Sequence, residues 1–201
     1  MKLLIAIPSQ DNMPVPFVES LLRLQRKLIK DGVKFTVNIY TGALVYDSRE
    51  RLAAKARFEE YTHVLWIDSD MVFDDDIFDK LISHDKDFVT GICHARREPY
   101  RSAVFRTLLP EAVRYNRNTY PKSLFKIAGC GFAFCLTSVK LLRDIKQQYG
   151  NLFMPSQLFG EDLMFCHKAT EMGYELFADP EAKILHIGLR LIGQDDEIIE
   201  E

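Results

Sequence analysis

Asp68-Ser69-Asp70 sets two carboxylates one residue apart at the end of a short apolar run, Val64-Leu65-Trp66-Ile67. At the carboxyl end of a buried strand, such a pair sits where open α/β sheets bind ligands. Hard divalent cations, Mg²⁺ or Mn²⁺, take one or two protein carboxylates and fill the remaining positions with substrate phosphates and water. The functional expectation is a metal–diphosphate site. The plain alternative is a solvated turn that stops the strand and caps the next helix, and a lone D-x-D does not choose between them. Glu161-Asp162, after Gly160, complement a helix dipole or, facing a cavity, supply a general base. His186 ends the apolar stretch Ile184-Leu185, where a histidine can be a core residue satisfied by one backbone bond. Arg49 either offers its fork to phosphate oxygens or pairs on a helix surface with Glu50.

The elements that must position these groups follow from periodicity. Lys2 to Ile7 reads as a strand closed by Pro8. Asp11 or Asn12 would cap a helix carried by Val18, Leu21, Leu22, Leu24, Leu28 and Ile29, which stops at Asp31-Gly32. Phe35, Val37 and Ile39 alternate as a second strand, and Asp47-Ser48-Arg49 opens a helix. Val64 to Ile67, apolar without interruption, suits a central strand buried on both faces. A short helix from Asp74 to Ser83 and a strand from Phe88 to Cys93 follow. This order argues for an α/β fold: a mostly parallel central sheet with helices on both faces, in a single domain over 1–201. Further on, Ile127 to Phe134 resumes regular structure, and Gly129 and Gly131 mark a close approach of backbone or ligand. Helices are expected from Ser138 to Tyr149 and from Gly160 to Met172. Short strands are expected at Glu175 to Ala178 and Ile184 to His186, before an acidic tail, Asp195 to Glu201.

Between them, residues 94–126 show no sustained period. Eight basic residues there, from Arg96 and Arg97 through Arg117 to Lys126, face only Glu98 and Glu111, with Tyr100, Phe105, Tyr115, Tyr120 and Phe125 interleaved. A long segment of this kind is a functional loop or small hairpin. Arginine with aromatics holds single strands and extruded bases, so a nucleic-acid acceptor is one reading. A basic loop for an anionic glycan or lipid phosphate, or a solvated flap, is the other.

Composition narrows the class. The chain is 47% hydrophobic and 27% charged with a net charge of -3, ordinary for a globular domain and without an overall nucleic-acid signature. No apolar stretch approaches a membrane span, and the opening MKLLIAIPS reads as a strand rather than a signal peptide. Cys93, Cys130, Cys135 and Cys166 lack C-x-x-C spacing, which points to free thiols in a reducing cytoplasm.

Together the motifs resemble the nucleotide-diphospho-sugar glycosyltransferases of the GT-A fold. The residues that carry the resemblance are Ile7-Pro8-Ser9, Asp68-Ser69-Asp70, Gly129-Cys130-Gly131-Phe132, Gly160-Glu161-Asp162 and His186. They span nearly the whole chain. The resemblance implies a nucleotide-sugar donor, with a UDP-sugar favoured, and Mn²⁺ or Mg²⁺. Asp70 would ligate the metal, His186 would complete that site, and Asp68 would reach the donor ribose or a metal-bound water. Pro8, Ser9, Asp11 and Ser69 would lie against the nucleotide and Arg49 near its diphosphate. Asp162 would be the general base of an inverting transfer, with Glu161 orienting the acceptor. Two features depart from the family: the chain is short for it, and residues 94–126 match no subfamily pattern. Two other classes stay open. A nucleotidyltransferase would normally open with a glycine-rich phosphate loop where this chain has Pro8-Ser9-Gln10. A non-catalytic sugar- or nucleic-acid-binding module would have no reason to keep these carboxylates.

Overall fold

In a computed structural model, described over residues 1–96, 99–116 and 120–188 and for the backbone of 191–192, nine strands form one twisted sheet. Its centre is β3 (His63–Ile67) beside β1 (Lys2–Ser9), which pairs in parallel with both β3 and the edge strand β2 (Lys34–Thr41). On the other side of β3 lie β10 (Phe134–Ser138), antiparallel, and then β5 (Phe88–Ile92). The parallel β11 (Leu176–Ile187) comes next. The sheet is therefore mostly parallel, as the order of elements predicts.

The unbroken apolar strands follow from having two buried faces. Val64 and Trp66 point into one core with α2 (Val45–Phe58), α4 (Val139–Tyr149) and α5 (Glu161–Glu171). Leu65 and Ile67 point into the other, with α1 (Val15–Lys30) and α3 (Ile77–Ser83). Trp66 is fully buried, and its indole N–H donates to Thr137 Oγ1 at 3.0 Å, so the one polar atom it carries into the core is satisfied. Burial of a large side chain in this layer stabilises the fold by about 1.5–3 kcal/mol.

Several expectations need correcting. Helix α1 is capped by Pro14, itself extended at φ -60° and ψ 142°, with no side-chain cap from Asp11 or Asn12, and proline in the first turn pre-sets the helical φ. Helix α2 begins at Val45, before Asp47, and α3 at Ile77, because Met71–Phe73 forms a short strand, β4. The two short strands expected near the end are one, β11, whose register shifts between Asp179 and Lys183 around Pro180. That irregularity lets β11 leave β5 and pair with β4, setting His186 opposite Met71. Gly91 is required there, since a Cβ on it would stand 2.1 Å from Ile184 Cδ1 and 2.8 Å from the Ala182 carbonyl. Helix α4 matches its expected limits, with Ser138 capping Leu141 N–H at 3.1 Å and Gly150 closing it at φ 73°.

The basic segment contains a hairpin of β6 (Val104–Thr107) and β7 (Val113–Arg114), with β6 pairing onward to β9 (Gly129–Cys130). Its end, β8 (Phe125–Ile127), joins β11. The aromatics turn toward one another and the core. Tyr115 meets Phe125 edge-on at 5.0 Å, Tyr120 lies 6.1–6.2 Å from both, and Phe105 and Phe125 are buried. Arg97, Arg117 and the acidic tail lie outside the described residues. All four cysteines are free and buried, and among the described residues no helix is long and apolar enough to cross a membrane.

Candidate functional site

The carboxyl ends of β1 and β3 open into a cavity of about 420 Å³, walled by Pro8, Ser9, Ser69, Asp70 and Arg96, among others. A second cavity of about 270 Å³ adjoins it, with Glu161, Asp162, Gly131, His94 and His186 in its walls. Asp68 and Val45 belong to both, so the end of β3 is the partition. The strand terminates there because Asp68 N–H bonds the Ala133 carbonyl at 2.8 Å and Met71 N–H returns to the Asp68 carbonyl in a turn.

The two aspartates face different partners. Asp70 Oδ2 accepts from Arg96 Nη1 at 3.0 Å and stands 3.2 Å from His186 Nε2. His186 Nδ1 lies 2.8 Å from the His94 carbonyl, which can only accept, so Nδ1 carries the proton and Nε2 is turned to Asp70. Burial alone would raise the Asp70 carboxyl. The His186 hydrogen bond and charge, with Arg96, hold it below its ordinary range instead. Burial likewise disfavours the His186 cation, and the bonds to Asp70 and His94 raise it.

Asp68 Oδ1 accepts from Arg49 Nη2 at 2.9 Å, and enclosure lifts its carboxyl above the ordinary range despite that arginine. Arg49 falls on the buried stripe of α2 with Leu52, Ala53 and Ala56, so its guanidinium runs inward with only 3% of the side chain exposed. Its other terminal nitrogen donates to Glu161 Oε1 at 2.9 Å. Arg49 thus lines the smaller cavity and not the larger one that holds Ser69 and Asp70. The arginine on the larger cavity is Arg96, whose side chain is 57% exposed.

Glu161 and Asp162 open α5 with Gly160 as cap residue. Asp162 Oδ1 accepts Leu163 N–H at 2.7 Å. Its Oδ2 faces Gly131, where an added Cβ would come within 3.6 Å of it and 3.2 Å of Ala103 Cβ. Burial first, then the negative charges of Glu161 and Asp68, push the Asp162 carboxyl above its usual range. A carboxylate so placed is a stronger base than an exposed one.

Pro8, Ser9, Ser69 and Asp68 line the larger cavity, and Ser9 Oγ is buried with no hydrogen-bond partner among the described residues. Asp11 is exposed, at a bend of the chain after β1, and lines neither cavity; Gln10 and Asn12 stand in the wall of the larger one. Gly42 and Ser48, also in that wall, had no sequence signal beyond a turn and a helix start. Among the described residues no group of three or more His, Cys, Asp or Glu is gathered as a metal site. Asp70 and His186 make a two-ligand set, and Asp68 is turned to Arg49. Such a pair fits Mn²⁺ or Mg²⁺ of the kind that keeps waters and substrate phosphates as its other ligands.

No family model matches this chain, and no curated protein matches its sequence. Among solved structures it is similar to A197 from STIV, at 19% identity and a TM-score of 0.65 over 100% of this chain and 98% of that one. It also matches a putative glucose-1-phosphate thymidylyltransferase from Bacillus anthracis, solved in complex with a sucrose, at 14% identity and a TM-score of 0.50 over 89% and 85% of the two chains. S. aureus TarS 1–349 matches at 15% identity and a TM-score of 0.47, over 90% of this chain and 60% of that one. At these identities the likeness is one of fold: a mostly parallel α/β sheet flanked by helices, shared with proteins that include a nucleotidyltransferase.

Proposed function

We propose that this protein transfers a sugar from a nucleotide-diphospho-sugar, with a UDP-sugar favoured, to an acceptor hydroxyl with inversion. The observation that carries the reading is the pair of adjoining cavities divided by Asp68, one bearing Asp70, Ser9 and Arg96, the other Glu161 and Asp162. A donor in the larger cavity and an acceptor in the smaller would meet at that partition. Asp162 Oδ2 takes the proton of the acceptor hydroxyl, whose oxygen then bonds the sugar carbon on the face opposite the diphosphate. The carbon–oxygen bond to the diphosphate breaks, and its electron pair leaves with the nucleoside diphosphate. Asp70 and His186 would hold Mn²⁺ or Mg²⁺, which when bound neutralises charge on the leaving diphosphate. Arg96 adds a positive group on the same side. The mutual packing of Tyr115, Tyr120 and Phe125 counts against base stacking on those rings.

The test is release of nucleoside diphosphate from a panel of UDP-, GDP- and other nucleotide sugars, with and without Mn²⁺, by wild type and Asp70→Asn. Metal-dependent release abolished by the substitution supports the reading. Absence of release together with absence of nucleoside diphosphate binding in Mn²⁺ overturns it. A second reading, a sugar nucleotidyltransferase, draws on the fold shared with the thymidylyltransferase. It predicts release of pyrophosphate when the protein is given a nucleoside triphosphate and a sugar phosphate in place of the nucleotide sugar.

A further inference from the structure

We propose that Arg49 is a positioning residue that couples the two cavities, holding Asp68 and Glu161 on a single guanidinium so that a change at one cavity is felt in the other. The inference rests on the transferase reading above. The geometry is that of a fork with one prong on the partition and one in the smaller cavity: Nη2 on Asp68 Oδ1 and Nη1 on Glu161 Oε1, both at 2.9 Å. Nη2 also reaches the Phe132 carbonyl at 3.4 Å, and the group lies over the Phe132 ring at 5.4 Å. These contacts fix its plane against the core. Burial disfavours the Arg49 cation, and the charges of Asp68, Glu161 and Asp162 outweigh it, so the group stays charged where it cannot reach water. Neither carboxylate can turn away without stripping one arm from a buried cation, which is costly. Asp68 lines both cavities, and Glu161 only the smaller. Glu50, the next residue of α2, accepts from Leu152 and Phe153 N–H, so the same helix also pins the loop that leads into α5.

The test is a double-substitution cycle read by calorimetry with UDP and Mn²⁺, on wild type, Glu161→Gln, Arg49→Met and the pair, with thermal melting to show that each is folded. Glu161 lies outside the UDP-side cavity. Even so, its substitution is expected to change UDP affinity by about fivefold in the wild-type background and hardly at all with Arg49 replaced. Arg49→Lys keeps the charge as one ammonium without the fork and is expected to break the coupling in the same way; it carries the cycle if Arg49→Met does not fold. Equal effects of Glu161→Gln in both backgrounds, or none in wild type, overturn the inference and leave the transferase reading intact. Wild type that binds no nucleoside diphosphate in Mn²⁺ and releases none from any nucleotide sugar overturns both.

Discussion

His186 Nε2 stands 3.2 Å from Asp70 Oδ2, although 116 residues separate them in the chain. With Nδ1 committed to the His94 carbonyl at 2.8 Å, the neutral ring presents a lone pair to a carboxylate oxygen, an arrangement that calls for a cation between them. A proton on Nε2 would serve, and although burial disfavours the His186 cation, the bonds to Asp70 and the His94 carbonyl raise the ring above its ordinary value. A divalent ion would do the same with both groups as ligands.

Loss of either partner is therefore expected to remove metal dependence. His186→Ala should weaken UDP binding in Mn²⁺ by at least about tenfold, as loss of a metal-orienting group generally does, and Asp70→Asn should abolish it. Chelation with EDTA should reduce wild type to the level of the variants. Calorimetry with and without Mn²⁺ decides, and unchanged affinity in Asp70→Asn would remove these residues from the site.

Asp162→Asn is expected to lower donor turnover by about 10²–10⁴-fold, the usual worth of a general base, with UDP affinity nearly unchanged. The sign of its pH dependence is set by burial and by Glu161 and Asp68, which raise the carboxyl. Asp162 acts only when ionised, so activity falls as pH drops through that raised value. The acid limb should lie above the ordinary aspartate value of about 3.9. Arg49, Asp68, Glu161 and Arg114 are the charged groups that act on it or through which it acts. A rate profile flat to acid pH would exclude Asp162 as the base.

Gly131→Val places branches beside Asp162 Oδ2, on a Cβ that already stands only 3.2 Å from Ala103 Cβ. Turnover should fall on the order of tenfold or more through displacement of the acceptor, with UDP binding retained in the other cavity. Equal losses of both would place Gly131 in general packing.

Gly91→Ala tests how the metal pair is assembled. Its Cβ overlaps Ile184 and approaches the Ala182 carbonyl, so β11 must shift. Overpacking of this kind costs about 1–3 kcal/mol, visible in a denaturant titration. Because the same strand carries His186 to Asp70, metal-dependent binding should weaken together with stability.

The chain's own pattern determined the layers of this protein. Strands β1 and β3 announce two buried faces by apolar residues without alternation, and α1, α4 and α5 announce themselves by spacing, Ser138, Gly150 and Gly160. These are local signals, set by backbone period and capping chemistry, and they also place Asp68, Asp70, Glu161 and Asp162 at element ends. The destinations of side chains were not legible in the same way. Arg49 reads as a surface or phosphate-binding arginine until the true start of α2 fixes its helical phase and turns it inward to Glu161, 112 residues away. Asp11 reads as a cap until the helix starts behind Pro14 and the bend at Gln10 and Asp11 leaves the side chain exposed. His186 meets Asp70 only because β11 shifts register around Pro180 and crosses to β4, an outcome of packing against Gly91. Local pattern sets which residues stand at the rim of the sheet, and long-range register and burial decide which of them touch.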